Sequence, residues 1–136
     1  MNKERQQRLK NANRLIKTIA THGRRLLSNN ESITQILMDE RQRLWLLDAY
    51  TQKKIYLHYQ SWGHGFSDGG TMRQLIVLLK QYILTGQTIH HSFFGPWPQW
   101  LCNGDIWGYG EDMNVVRSIA QDLGIINPLN NDKVLQ

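Results

Sequence analysis

The sequence predicts an α+β domain: a long basic N-terminal helix, a three-stranded antiparallel meander, a buried central helix, an aromatic- and glycine-rich loop and a short C-terminal helix. Three observations carry this reading. Apolar residues recur with a helical period near the start, in the middle and towards the end of the chain. Between Ser32 and Gln60 the pattern changes to short β-branched and aromatic runs separated by polar loops. A length of 136 residues with 40% hydrophobic composition suits one core of helices on a sheet, so residues 1–136 are read as a single domain with 127–136 as a flexible tail.

From Lys3 to Leu27, the residues Leu9, Ala12, Ile16, Ile19, Ala20, Gly23 and Leu27 follow a 3.6-residue period and predict a long amphipathic helix. The runs Ile33–Met38, Leu44–Leu47 and Lys54–Tyr59 predict three strands. Their polar connections, 39–43 and 48–53, are short enough for hairpins. In the third strand Ile55, Leu57 and Tyr59 are expected on one face, with Tyr56 and His58 on the other. Thr71 and Gln74 have capping-box form and predict a helix to about Thr85 that is apolar on most sides, ends at Gly86 and is the central buried helix. A last helix is predicted from Glu111 and Asp112 in its first turn, an apolar face of Met113, Val116, Ile119, Ala120 and Leu123, and Gly124 at its end.

Charge is unevenly distributed. Residues 1–60 carry 12 basic and 5 acidic side chains, and residues 61–136 carry 4 and 6. The first 30 residues hold 8 basic residues and a single acid, Glu4. Such asymmetry points to a polyanion-facing surface. At about 100° per residue, Lys3, Lys10, Arg14, Lys17, Arg24 and Arg25 share an arc opposite the apolar stripe, while Arg5 and Arg8 fall off it. No apolar run approaches the roughly 20 residues of a membrane span, no secretory signal is visible, and the lone Cys102 offers no intramolecular disulfide. These features predict cytoplasmic residence.

Lys10, Arg14, Lys17, Arg24 and Arg25 are the candidate nucleic-acid-binding residues, because cations at one turn's spacing meet successive phosphates and release counterions; an ordinary solvated face has the same composition. The segment from His90 to Gly110 packs six aromatics and four glycines into 21 residues with no clear period. Within it, Trp97, Trp100, Trp107 and Tyr109 are the candidate anchors for a protein partner or for stacked bases, against the alternative that they fold back onto the core. The turn from Ser67 to Thr71, with Arg73 or His64 nearby, has the form of a weak anion site, which a plain helix cap also explains. His64, His90, His91, Cys102 and Asp105 include zinc-ligand types without zinc-site spacing, and no nucleophile–base or paired-carboxylate signature stands out, so no cofactor, metal or catalytic residue is assigned.

The order helix, three antiparallel strands, helix is similar to that of double-stranded-RNA-binding domains. Their basic cluster at the start of the last helix is absent here, where Arg73 stands alone, so the likeness is one of element order. The expectation is a non-enzymatic nucleic-acid-associated protein acting through the basic helix. The alternative is a small protein-binding module or inhibitor that anchors on a partner through residues 93–109, steered by the basic helix to an acidic or nucleic-acid-binding surface. Salt dependence of binding to generic nucleic acid separates the two.

Overall fold

The computed structural model describes residues 3–22, 28–29, 32–49, 52–57, 70–94 and 110–127. Helix α1 spans Lys3–Thr21, strands β1 to β5 span Ser28–Asn29, Ser32–Ile33, Gln35–Met38, Leu44–Leu47 and Lys54–Tyr56, α2 spans Gly70–Thr85, a 3₁₀ turn covers His91–Phe94, and α3 spans Gly110–Asp122. The α+β class and the three-stranded antiparallel sheet, in the order β3-β4-β5, are as the sequence predicts.

Helix α1 stops at Thr21, six residues short of the predicted Leu27. Its last turn explains the stop. His22 N–H turns back to the Ile19 carbonyl at 3.4 Å while its ring Nδ1 lies 2.9 Å from the Thr18 carbonyl, which the His22 N–H would meet in a continuing helix. Gly23, Arg24, Arg25 and Leu27 lie outside the described residues.

The first predicted strand divides at Thr34. Ser32–Ile33 pairs with Ser28–Asn29 in a separate hairpin, whereas Gln35–Met38 pairs with β4 through Gln35 to Leu47, Ile36 to Leu46, Leu37 to Trp45 and Met38 to Leu44. Thr34 itself is buried, and its Oγ1 accepts the Ala49 backbone N–H at 2.9 Å. That bond ties the turn between the two short strands to the far end of β4.

Both hairpin loops use one device. Asp39 N–H donates to the Arg43 carbonyl at 3.0 Å and Gln42 N–H to the Asp39 carbonyl at 2.9 Å, with Gln42 at φ 64°. Asp48, Lys53 and Gln52 repeat the arrangement, with Gln52 at φ 61°. A non-glycine residue in this left-handed region costs about 1 kcal/mol and needs support from its surroundings. At Gln42 the support is a 2.6 Å bond from Arg5 to its side-chain oxygen, and at Gln52 a 2.6 Å bond from its side-chain amide to the Ala49 carbonyl.

Alternation along the strands places Ile36, Leu44, Leu46, Ile55 and Leu57 in the core and turns Leu37, Trp45, Leu47 and Tyr56, all half-buried, to the opposite face. His58 and Tyr59 lie outside the described residues. The core-facing sheet residues meet Ala12, Leu15, Ile16 and Ile19 of α1, which continue to Leu75, Ile76, Leu79 and Ile83 of α2, Met113, Val116 and Ala120 of α3, and Phe94.

α2, the central helix in chain order, buries Leu75, Ile76, Leu79, Tyr82 and Ile83 as the sequence predicts, and α1 is the hub of the packing. α1 packs against β3, α2 and α3, whereas the principal packing of α2 is on α1, so α1 is the main cover of the sheet. Leu15, absent from the predicted apolar stripe, is fully buried because α1 has neighbours on more than one side. α2 begins at Gly70, which puts Thr71 inside the helix instead of at its cap; Ser67, Asp68 and Gly69 lie outside the described residues. Gly86 at φ 81° and Gly124 at φ 77° end α2 and α3 in the left-handed conformation expected of glycine past a helix end.

Ile126 then forms a parallel bridge to Ile89, with Ile89 N–H donating to the Ile125 carbonyl at 2.8 Å and Asn127 N–H to the Ile89 carbonyl at 3.2 Å. Asn127, assigned to the tail from sequence, is therefore hydrogen-bonded to the domain; residues 128–136 lie outside the described set. No described helix is long and apolar enough to cross a membrane.

Candidate nucleic-acid interface

The cations of α1 divide into two groups. Arg5 and Arg8 are partly buried and reach across to α2. Arg5 Nε donates to the Leu84 carbonyl at 3.3 Å, and Arg8 Nε to the Ile83 carbonyl at 2.9 Å. The last turn of α2 contains no basic residue of its own, so α1 supplies both the donors for its orphan carbonyls and the positive charge that favours its negative end. The Arg8 guanidinium also lies 3.6 Å from where a Cβ on Gly86 would stand, so it packs over the helix end.

Lys3, Lys10, Arg14 and Lys17 form the second group. All four are exposed, and none forms an ion pair with a described residue. At about 100° and 1.5 Å per residue they occupy an arc of roughly 60° along about 21 Å of helix. The structure therefore brings together the predicted Lys10, Arg14 and Lys17 on one open face; Arg24 and Arg25, the other two predicted phosphate ligands, lie outside the described residues.

Two asparagines flank this stripe and hold the helix in place. Asn13 donates to the Ile36 carbonyl at 2.9 Å and accepts the Ile36 N–H at 2.7 Å, so one side-chain amide satisfies both outward backbone groups of Ile36 in the edge strand β3. On the other flank, Asn11 donates to the Tyr82 hydroxyl at 3.0 Å and to the Leu123 carbonyl at 3.3 Å, bridging α2 and the end of α3. Beside Asn13 a pocket of about 290 Å³, lined by Asn13, Lys17, Ile33, Thr34 and Gln35, opens between the basic stripe and the sheet edge.

Sequence reasoning missed a second group, on the outer face of the sheet. Trp45 and Tyr56 are cross-strand partners with ring centroids 5.0 Å apart and planes tilted by 41°. They meet closely because the Leu57 N–H bond to the Leu44 carbonyl makes the neighbouring pair hydrogen-bonded and leaves Trp45 and Tyr56 as the closer, non-hydrogen-bonded pair. Lys54 Nζ stands 5.6 Å from the Trp45 ring and the Arg43 guanidinium 5.8 Å from the Tyr56 ring. The alternation Leu44-Trp45-Leu46 against Lys54-Ile55-Tyr56 was the available signal, but it needs the strand register to show which rings meet.

Asp39 fixes one end of this face. Its carboxylate accepts the Trp45 indole N–H at 3.0 Å, the backbone N–H groups of Arg41 and Arg43 at 2.9 Å each, and Arg43 Nε at 2.8 Å. The indole N–H first, and then the Arg43 backbone N–H, hold its carboxyl well below the usual carboxylate range. Next to Tyr56 a cleft of about 380 Å³ separates the sheet from α2, with Arg43, Gln42, Lys80 and Gln81 among its walls. Burial lowers the pKa of the Lys80 ammonium from its ordinary value.

Among the described residues, no group of three or more His, Cys, Asp or Glu is placed to hold a metal ion. His64, Cys102 and Asp105 lie outside the described residues, as do the predicted partner anchors Trp97, Trp100, Trp107 and Tyr109. Of the aromatic segment 93–109, Phe94 is in the core and Phe93 packs against it, their rings edge-to-face at 5.2 Å.

The sequence profile of the YoqU family matches residues 2–135 of the chain. The chain belongs to the YoqU family. It is 27% identical over 132 residues to the SPbeta prophage-derived protein YoqU of Bacillus subtilis (strain 168), an alignment covering 95% of this chain and 90% of that protein. No solved structure matches the chain.

Proposed function

We propose that this protein is a non-enzymatic nucleic-acid-associated protein that holds a phosphate backbone against the exposed face of α1. The observation that carries the reading is the division of the α1 cations: Arg5 and Arg8 are used by the fold, while Lys3, Lys10, Arg14 and Lys17 remain together on one open stripe without acidic partners among the described residues. Like charges three and four residues apart, as at Lys10, Arg14 and Lys17, destabilise a helix by a few tenths of a kcal/mol per pair. A polyanion removes that repulsion and gains the entropy of released counterions. The prophage derivation of the Bacillus relative accords with such a partner.

The test replaces Lys10, Arg14 and Lys17 together by Gln, which keeps helix propensity and touches no bond that holds α1 to its neighbours. Binding to a duplex and to an unstructured single strand is then titrated against salt. Removing one phosphate-binding cation lowers the magnitude of the log–log salt slope by about 0.9 for duplex and about 0.7 for single strands, so the slope of the triple variant should be shallower by about 2.7 or 2.1. A parent protein that binds neither nucleic acid at about 0.1 M salt, or a variant with the parent's slope, overturns the proposal.

A further inference from the structure

We infer that the pocket between the basic stripe and the sheet edge receives one unpaired base of the strand that α1 holds, so that the nucleic acid is single-stranded at this point. The inference rests on the reading of α1 above and adds the substrate class.

Three side chains bring uncommitted hydrogen-bonding groups to this pocket. Lys17, the last cation of the stripe among the described residues, is also one of its walls, and its ammonium has no acidic partner among them. Gln35 is exposed, and its side-chain amide, a donor and an acceptor together, bonds no described residue. Thr34 is 1% exposed, and its hydroxyl accepts the Ala49 N–H at 2.9 Å while no described group accepts the hydroxyl's own hydrogen. A buried donor without an acceptor is unfavourable, and a ligand atom bonded to it removes that cost. Asn13, by contrast, is committed to Ile36 and forms a fixed wall.

The size and chemistry of the pocket suit a base better than a phosphate. At about 290 Å³ it lies at the lower end of the range for small-ligand sites, and Ile33 gives it an apolar wall against which a phosphate would lose water without full compensation. A base has an apolar face for Ile33 and an edge of donors and acceptors for the Thr34 hydroxyl and the Gln35 amide. Lys17 then holds the phosphate of the same nucleotide at the rim, in line with Arg14 and Lys10, which stand about 4.5 and 10.5 Å back along the helix. The cleft of about 410 Å³ lined by Gln6, Met38, Asp39, Glu40 and Gln42 carries two carboxylates instead and repels a phosphate backbone. In a duplex each base is paired and stacked, and drawing one out is costly, so a duplex on the stripe leaves the pocket unfilled.

The experiment measures binding of the full chain to a fluorescein-labelled unstructured single strand and to a duplex of equal length, for the parent, Gln35→Met, Thr34→Val and Thr34→Ser. The parent should prefer the single strand. Gln35→Met and Thr34→Val should each lose about three- to ten-fold in single-strand affinity with duplex affinity unchanged, and Thr34→Ser, which keeps the hydroxyl, should stay within about two-fold of the parent. Backbone amide resonances of Ile33, Thr34 and Gln35 should shift on adding the single strand and stay in place on adding the duplex. Thermal melting separates loss of binding from loss of fold, and Gln35→Met carries the test if Thr34→Val, which also loses the Ala49 bond, does not fold. The parent's single-strand affinity in a folded Gln35→Met, a parent without preference for the single strand, or amide resonances that the single strand leaves in place overturns the inference. The salt slope of the Lys10, Arg14 and Lys17 variant still decides the proposal on α1 in that case, and a parent that binds neither probe ends both.

Discussion

Replacing Asn13 by Ala tests whether one amide locks the helix that carries the basic stripe to the edge of the sheet. Asn13 makes two bonds to the backbone of Ile36, at 2.9 and 2.7 Å, and Ile36 is fully buried, so water has poor access to the groups left behind. Each hydrogen bond contributes about 0.5 to 1.5 kcal/mol net, and stranding its partners costs the upper part of that range, which puts the loss near 2 kcal/mol. In a domain of this size that corresponds to a fall in Tm of about 6 to 10 °C. Asn13→Asp keeps the acceptor for the Ile36 N–H but loses the donor and sets a carboxylate against the Ile36 carbonyl, so at neutral pH it should destabilise at least as much. Urea titration gives the free energy, and amide exchange at Ile36 shows whether the edge opens locally. A stability change below about 0.5 kcal/mol, with exchange at Ile36 unaltered, refutes the lock.

Two further outcomes follow from named contacts. Arg8→Met keeps the apolar stem but removes the bond to the Ile83 carbonyl and the charge at the end of α2; stability should fall by about 1 to 2 kcal/mol while the salt slope for nucleic acid stays at the parent's value, and a slope reduced by about 0.9 shows instead that Arg8 contacts phosphate. Asp39 has a depressed pKa, so its ionised form stabilises the fold fully above the unfolded carboxylate value of about 3.9, and that contribution is lost as pH falls through the lower folded value. The difference in Tm between the parent and Asp39→Asn should therefore be largest near neutrality and shrink below about pH 4; a constant difference down to about pH 2.5 contradicts the assignment.

Much of this molecule was legible from residues alone. The helices, their glycine ends and the three-stranded meander follow from local periodicity and turn chemistry, which act within a few residues of chain. The basic stripe was legible for the same reason: about 100° per residue puts Lys10, Arg14 and Lys17 on one side whatever the rest of the chain does, and it separates them from Arg5 and Arg8. The polar character of α1 hides its place as the hub of the packing, because a long arginine can bury its stem and deliver its head to a carbonyl on another helix, and a pattern of charges does not show that such a carbonyl is there.

What the tertiary structure decided is every choice of neighbour. Periodicity says that a side is apolar and leaves open what it faces, so α1 with its asparagines became the hub while the more apolar α2 lay to one side. The run Ile33–Met38 reads as one strand locally, yet it divides at Thr34 because its two ends find different partners. Trp45 and Tyr56 are eleven positions apart and become a ring pair only through the register between β4 and β5. Sequence determined the elements and the side of α1 that bears charge, since those depend on local geometry. Register, centre and the aromatic face depend on contacts between distant residues, which exist only once the chain has folded.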